Sequence, residues 1–279
     1  MPTRIVTDSA ADLPPELIAE HRIRVVPLTI RFGETTYLSG VDLSTEEFWN
    51  KLRASDVSPA TAAPSAGDFE VAFRELAADG ADGIVSVHLS SKLSATYQAA
   101  AVAAQSFGDV PVEVVDTLSV SGATGLAALR GCELAAEGLG PSDIAADLNA
   151  MRGRTTLYGV IDTLEYLRRG GRIGGAQALL GTMLKVKPVI SVVDGVVEPV
   201  GRVRTRAKAL EHLAGLVKER AGTIDRIIAI SGEAPDIDAF LGLLDGVVDI
   251  GPSDVWQLGP VVGTHSGPGV VGVVFTTTA

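Results

Sequence analysis

Short runs rich in Val and Ile recur along this chain and alternate with Ala- and Leu-rich stretches of helical length, a pattern that folds as strand–helix units on buried sheets. The runs lie at residues 4–7, 24–30, 83–88, 112–115, 155–160, 188–193, 226–230, 255–258 and 270–275, each of strand length. The pattern predicts an α/β protein with largely parallel sheets flanked by helices. Composition agrees: 46% of the 279 residues are apolar and only 5% aromatic, which suits helices packed closely on sheets whose strands are buried on both faces.

Local punctuation supports this reading. Ser44 with Glu47 forms a capping box, Ser65 precedes an apolar stripe of Phe69, Phe73 and Leu76 that Gly80 can end, and Asp162 or Thr163 can cap a segment running to Arg169. Asp194-Gly195 between two Val-Val pairs signals a hairpin. A helix starting at Pro141-Ser142 ends near Gly153 and a strand begins at Thr155, which places a boundary between two α/β domains, 1–153 and 154–279. Their junction is the expected ligand site, because strand-end loops from both sides can converge there.

Charge and cysteine content narrow the function. A net charge of −11 argues against nucleic acid as a partner. The single Cys132 provides neither a disulfide framework nor metal-site spacing, and in its Ala/Leu-rich surroundings it reads as a small buried hydrophobe. The first residues read as a strand entering a turn, not as a signal peptide, and the uncharged stretch 255–279 is broken by Pro260, Pro268 and glycines. A cytoplasmic protein without a transmembrane segment is expected.

Catalytic signatures are scarce. The sequence has no P-loop, zincin or nucleophile-elbow motif, and its G-x-G-x-x-G at residues 267–272 precedes a strand where a dinucleotide site needs a helix. His21, His88 and His212 sit in ordinary helix or strand contexts. His265 lies in the Gly- and Pro-rich segment 259–269, read as an irregular loop, where it can serve as a binding group or a structural one. Hydroxyls cluster at residues 58–65 and 90–98, each cluster opening a helix. Ser94 and the backbone N–H of Ala95 then fall at a helix N-terminus, a place that favours anions. Ser65, Ser91 and Ser94 can equally be plain helix caps.

Several segments, in order, resemble the DegV family: Thr7-Asp8-Ser9 with Asp12-Leu13, the Thr61 to Ser65 loop, Ser90-Ser91-Lys92-Leu93-Ser94, residues 162–173, Lys187-Pro188-Val189-Ile190 and Gly263-Thr264-His265. The resemblance covers essentially the whole chain. It implies two α/β domains, with one long-chain fatty acid in a tunnel of the N-terminal domain and its carboxyl group facing the junction. Thr61, Ser94 and His265 match the carboxyl-binding positions, with the Ala95 N–H beside them and Ser65, Ser91, Thr264 and Ser266 around them. It further implies a monomeric carrier with no catalytic residue, metal or cofactor of its own, which presents the acid to an ATP-dependent fatty acid kinase for acyl-phosphate formation. Two departures stand out: Ala62-Ala63 where family members often have Ser-Gln, and Ala95 where they often have Gly.

Such a ligand is physically reasonable. Burying roughly 15 methylenes at ~0.8 kcal/mol each gives about 12 kcal/mol gross, before ordering and association costs. Two hydroxyls, a helix N-terminus and an imidazole can satisfy the carboxyl without an arginine clamp. The basic clusters Arg168, Arg169, Arg172 and Arg202, Arg204, Arg206, Lys208 are either solvated, locally paired side chains or a docking patch for the kinase. Two alternatives remain open: an acyl hydrolase or transferase with His265 as base toward Ser94 or Thr61, and a carrier of another amphipathic acid.

Overall fold

In the computed structural model, which describes residues 2–278 and, within 181–185, the backbone alone, the strands run in chain order as follows. They are β1 (Thr3–Asp8), β2 (Arg24–Val26), β3 (Thr29–Phe32), β4 (Thr35–Leu38), β5 (Ala60–Ala62), β6 (Gly83–His88), β7 (Val112–Asp116), β8 (Thr155–Val160), β9 (Lys187–Val193), β10 (Val196–Val203), β11 (Ile224–Gly232), β12 (Val255–Gln257) and β13 (Val270–Thr277).

Four of these strands form a parallel sheet in the order β2-β1-β6-β7. Helices cover both faces. On one side Phe69, Phe73 and Leu76 of the helix Ala66–Ala78 and Ala100 and Ala103 of the helix Thr96–Ser106 pack on Val6, Val26 and Ile84. On the other, Leu126 and Leu129 of Gly122–Ala136 and Leu148 of Pro141–Met151 pack with Ile5, Val85 and Val115. β6 is buried at every position, its polar Ser86 and His88 included.

The second large sheet has the order β10-β9-β8-β13-β11-β12, and all its pairings are antiparallel except β11 with β12. The α/β class holds, but the largely parallel arrangement applies to the first sheet alone. Apolar runs encode burial on both faces and say nothing of strand direction. One face carries the helix Arg206–Lys218, whose Leu210, Leu213 and Val217 pack on Val160, Val189 and Phe275. The other face looks toward the parallel sheet and its helices. The β9–β10 hairpin turns at Asp194 and Gly195 with φ of 48° and 85°, the primed turn the dipeptide signals.

A small antiparallel sheet, β4-β3-β5, completes the fold. The run at 24–30 splits between two sheets because Pro27 has no N–H for a ladder. The capping boxes at Ser44/Glu47 and Ser65/Asp68 are both formed. Among the described residues, no helix is long and apolar enough to cross a membrane.

Candidate functional site

The loops that follow the carboxyl ends of β2, β6 and β7 face the inner surface of the six-stranded sheet, and a cavity lies between them. Its volume is about 110 Å³, several times what one water needs. Its walls are almost wholly apolar: Leu89, Leu93 and Val120 on the loop side, Leu157, Ile190 and Ile230 on the sheet side. Most of the lining comes from residues beyond 154.

One end of the cavity is polar. Thr61 Oγ1 and His265 Nε2 are 2.8 Å apart, and both residues line the cavity with Ser94, Ser266 and Arg172. Thr61 sits on β5, paired opposite Ile30 of β3, and not in a loop. Ser94 stands two residues before the helix Thr96–Ser106, where its Oγ accepts from the Thr96 N–H at 3.3 Å and bonds the Thr96 hydroxyl at 2.8 Å.

His265 belongs to a seven-residue helix, Pro260–Ser266, which corrects the loop expectation. The glycines and prolines there are helix punctuation: Pro260 opens the first turn, Gly263 lets the helix approach Phe48 and Trp49, and Gly267 at φ 75° ends it. Burial pushes the His265 pKa down to about 4, and the nearby Arg172 charge acts in the same direction, so the imidazole is neutral at pH 7. Its Nδ1 is buried without a hydrogen-bond partner, against Gly170, where a Cβ would collide with the ring. Among the described residues no acid orients this imidazole, so a Ser–His–Asp type of triad is not formed around it.

The remaining expected residues divide. Ser266 lines the cavity while its hydroxyl donates to the Val262 carbonyl, and Thr264 is buried, donating to the Pro260 carbonyl. Ser65 is an exposed helix cap, Ser91 is exposed with its N–H on Asp116, and Ala95 is exposed and outside the cavity wall. Arg172, grouped by sequence with a docking patch, instead reaches into the site: its Nε donates to the Leu93 carbonyl at 3.0 Å and a terminal nitrogen to the Gly170 carbonyl at 2.6 Å. A cation therefore stands beside Thr61, Ser94 and His265 at the polar end of the cavity. Arg168 and Arg169 pair with Glu165, Arg206 makes a two-point pair with Asp236, and Arg202 is exposed.

Two buried acids escaped the sequence reading. Asp8, at the end of β1, bonds His88 Nδ1 at 2.9 Å and accepts from the N–H groups of Ala10 and Leu89. His88 Nε2 in turn lies 2.6 Å from Ser86 Oγ. The side chains of this Ser–His–Asp relay are wholly buried and none of the three lines the cavity described above; the Asp8 carboxylate holds the loops that follow β1 and β6. Asp12, at φ 51°, accepts from Ser121 Oγ at 2.5 Å and from the Gly259 N–H at 3.0 Å, tying the first loop to the start of the His265 helix. Among the described residues, no group of His, Cys, Asp or Glu could hold a metal.

Fold and cavity together define a three-sheet α/β protein built around an apolar pocket with one polar end. The chain belongs to the DegV family: the family model, described as "Uncharacterised protein, DegV family", matches residues 2–278. A DegV domain-containing protein of Streptomyces coelicolor is 40% identical over 276 residues, 98% of each chain, and one of Deinococcus radiodurans is 39% identical over 279 residues, again 98% of each. Among solved structures, a DegV family protein of Thermus thermophilus described as binding fatty acid superposes with a TM-score of 0.89 at 37% identity, covering 100% of both chains. DegV of Bacillus subtilis, described as a fatty acid binding protein, gives 0.89 at 31% identity with the same coverage, and a stearic acid-binding protein of Eubacterium ventriosum gives 0.85 at 26%, covering 99% and 98%.

Proposed function

We propose that this protein binds one long-chain fatty acid, with the acyl chain in the apolar cavity and the carboxyl group at Thr61, Ser94 and His265, beside Arg172. The observation that carries the reading is the almost wholly apolar cavity ending in those side chains, in a chain whose structural relatives are described as fatty acid binders. Chain burial supplies most of the affinity, and the hydroxyls, a neutral imidazole able to donate from one nitrogen, and the guanidinium satisfy the carboxylate. Native mass spectrometry of the purified protein tests it. A co-purifying mass of a fatty acid is expected; protein that neither carries nor is stabilised by fatty acids sinks the reading.

In this reading the chain is a monomeric cytoplasmic carrier without cofactor, divided at 153/154, with the ligand at the junction of the two units. It hands the carboxyl group to an ATP-dependent kinase for acyl-phosphate formation, and Arg202, exposed like Arg204 and Lys208 in the same cluster, is a basic side chain open to docking, whereas Arg168, Arg169 and Arg206 are engaged in local ion pairs. Charge reversal at Arg202 that leaves kinase coupling unchanged at physiological salt removes this docking role.

A further inference from the structure

We infer that the bare backbone at Gly159 and Gly272 lets an acyl chain run across the sheet, which makes Gly159 a determinant of chain-length preference; this rests on the fatty-acid reading above. The floor of the cavity is the inner face of the six-stranded sheet. Along β8, Leu157, Tyr158 and Gly159 border the cavity, with Tyr158 and Val160 packing in the outer cluster, and along β13 Gly272 lines the cavity while Val271 and Val273 pack in that cluster.

Gly159 and Gly272 are direct cross-strand partners, flanked in the same row by Ile190 of β9 and Ile230 of β11. Across four strands the row reads Ile, Gly, Gly, Ile. With strands about 4.8 Å apart, the glycines leave a dent close to the width of an extended hydrocarbon chain.

Neither glycine has a positive φ, so the backbone does not demand glycine at either place, and glycine within a strand costs stability. The two differ in the space around them. A Cβ at 272 would lie 3.2 Å from Ile230 Cβ and 3.4 Å from the Tyr158 carbonyl oxygen, so the fold itself resists a side chain there. A Cβ at 159 would meet nothing closer than 3.9 Å. Protein packing therefore gives no reason for glycine at 159, and the space it leaves opens into the cavity. A ligand crossing the row gives that reason.

The test uses delipidated wild type, Gly159→Ala and Gly159→Val, each titrated with saturated acids from decanoate to stearate. In the wild type each buried methylene adds about fourfold in affinity. In the variants that gain stops at a shorter chain, earlier for Val than for Ala, and stearate loses about tenfold or more in Gly159→Val, the equivalent of about two methylenes returned to water. Melting temperatures of the ligand-free variants equal or exceed that of the wild type. An equal gain per methylene up to stearate in all three proteins overturns the inference, as does a uniform offset at every length, which would put the effect at the carboxyl end. A Gly159→Ala variant that fails to fold overturns it too, because the fold would then require the glycine. If the wild type binds none of these acids, the fatty-acid reading falls and the inference with it.

Discussion

Thr61 and His265, 204 positions apart in the chain, meet side chain to side chain at 2.8 Å. The contact joins a strand of the small sheet to the helix that precedes β13. With Nδ1 lacking a partner, Nε2 is the only ring nitrogen through which His265 can exchange a hydrogen bond, whether with the threonine hydroxyl or with a carboxylate entering between them.

Removing either cavity hydroxyl, by Thr61→Val or Ser94→Ala, is expected to weaken fatty acid binding by ~1–3 kcal/mol through an unpaired polar atom on the ligand. Calorimetric titration of the delipidated variants measures this. Unchanged affinity in both would take the two residues out of the site.

His265 is expected to titrate near pH 4 in the ligand-free protein, since burial disfavours its charged form. Its pKa is lower folded than unfolded, so the unfolded chain takes up the proton first as the pH falls. The stability linked to His265 is complete above about pH 6.5, declines below that and is lost by about pH 4. His265→Gln should flatten this part of the stability profile. Ring resonances that titrate near the ordinary value would contradict the burial.

Asp12 behaves in the opposite sense. Burial, helped by the Asp8 charge, raises its pKa from 3.8 to about 7 despite the Ser121 and Gly259 hydrogen bonds. Its contribution is fully present below the unfolded value and is lost as the pH rises through about 7. Asp12→Asn keeps an acceptor for the Gly259 N–H and removes the buried charge. Relative to wild type the variant should gain about 1 kcal/mol at alkaline pH, and none at mildly acidic pH, in urea denaturation.

The Asp8–His88–Ser86 relay should answer to stability and not to chemistry. Asp8→Ala strips two backbone N–H groups and a buried imidazole of their acceptor and is expected to cost ~3 kcal/mol or more. Ser86→Ala should cost about 1 kcal/mol and leave any hydrolysis of acyl esters at the wild-type level. A fall in ester hydrolysis specific to Ser86→Ala would reveal access that a fully buried hydroxyl lacks.

Much of this molecule is legible in the sequence because burial and capping are local. The runs at 83–88 and 155–160 coincide with β6 and β8, and the Ser44 and Ser65 caps, the Asp194-Gly195 turn and the stripe of Phe69, Phe73 and Leu76 need only near neighbours. Three things were not legible. β4 is short and polar, and β5 is a three-residue strand whose partner β3 lies far back in the chain, so Thr61 read as loop. Strand direction in the second sheet depends on β13 inserting between β8 and β11, which the apolar run does not encode. Arg172 looks like its neighbours Arg168 and Arg169 along the chain, and only the fold turns it toward His265 while they face Glu165. The Asp8–His88 pair had a signal in the Thr7-Asp8-Ser9 segment, but its partner lies 80 residues on.

The cavity sits within the apolar cluster that joins Leu28, Leu89 and Leu126 from the first half of the chain to Ile161, Ile190 and Ile230 from the second. A bound acyl chain would thus be part of the interior and not an addition to its surface. Hydrostatic pressure separates these cases, because unfolding under pressure is driven by the internal volume it eliminates. Protein stripped of its lipid should unfold at lower pressure and with a larger volume decrease than loaded protein, so the cargo would register as a change in compressibility before any contact is resolved.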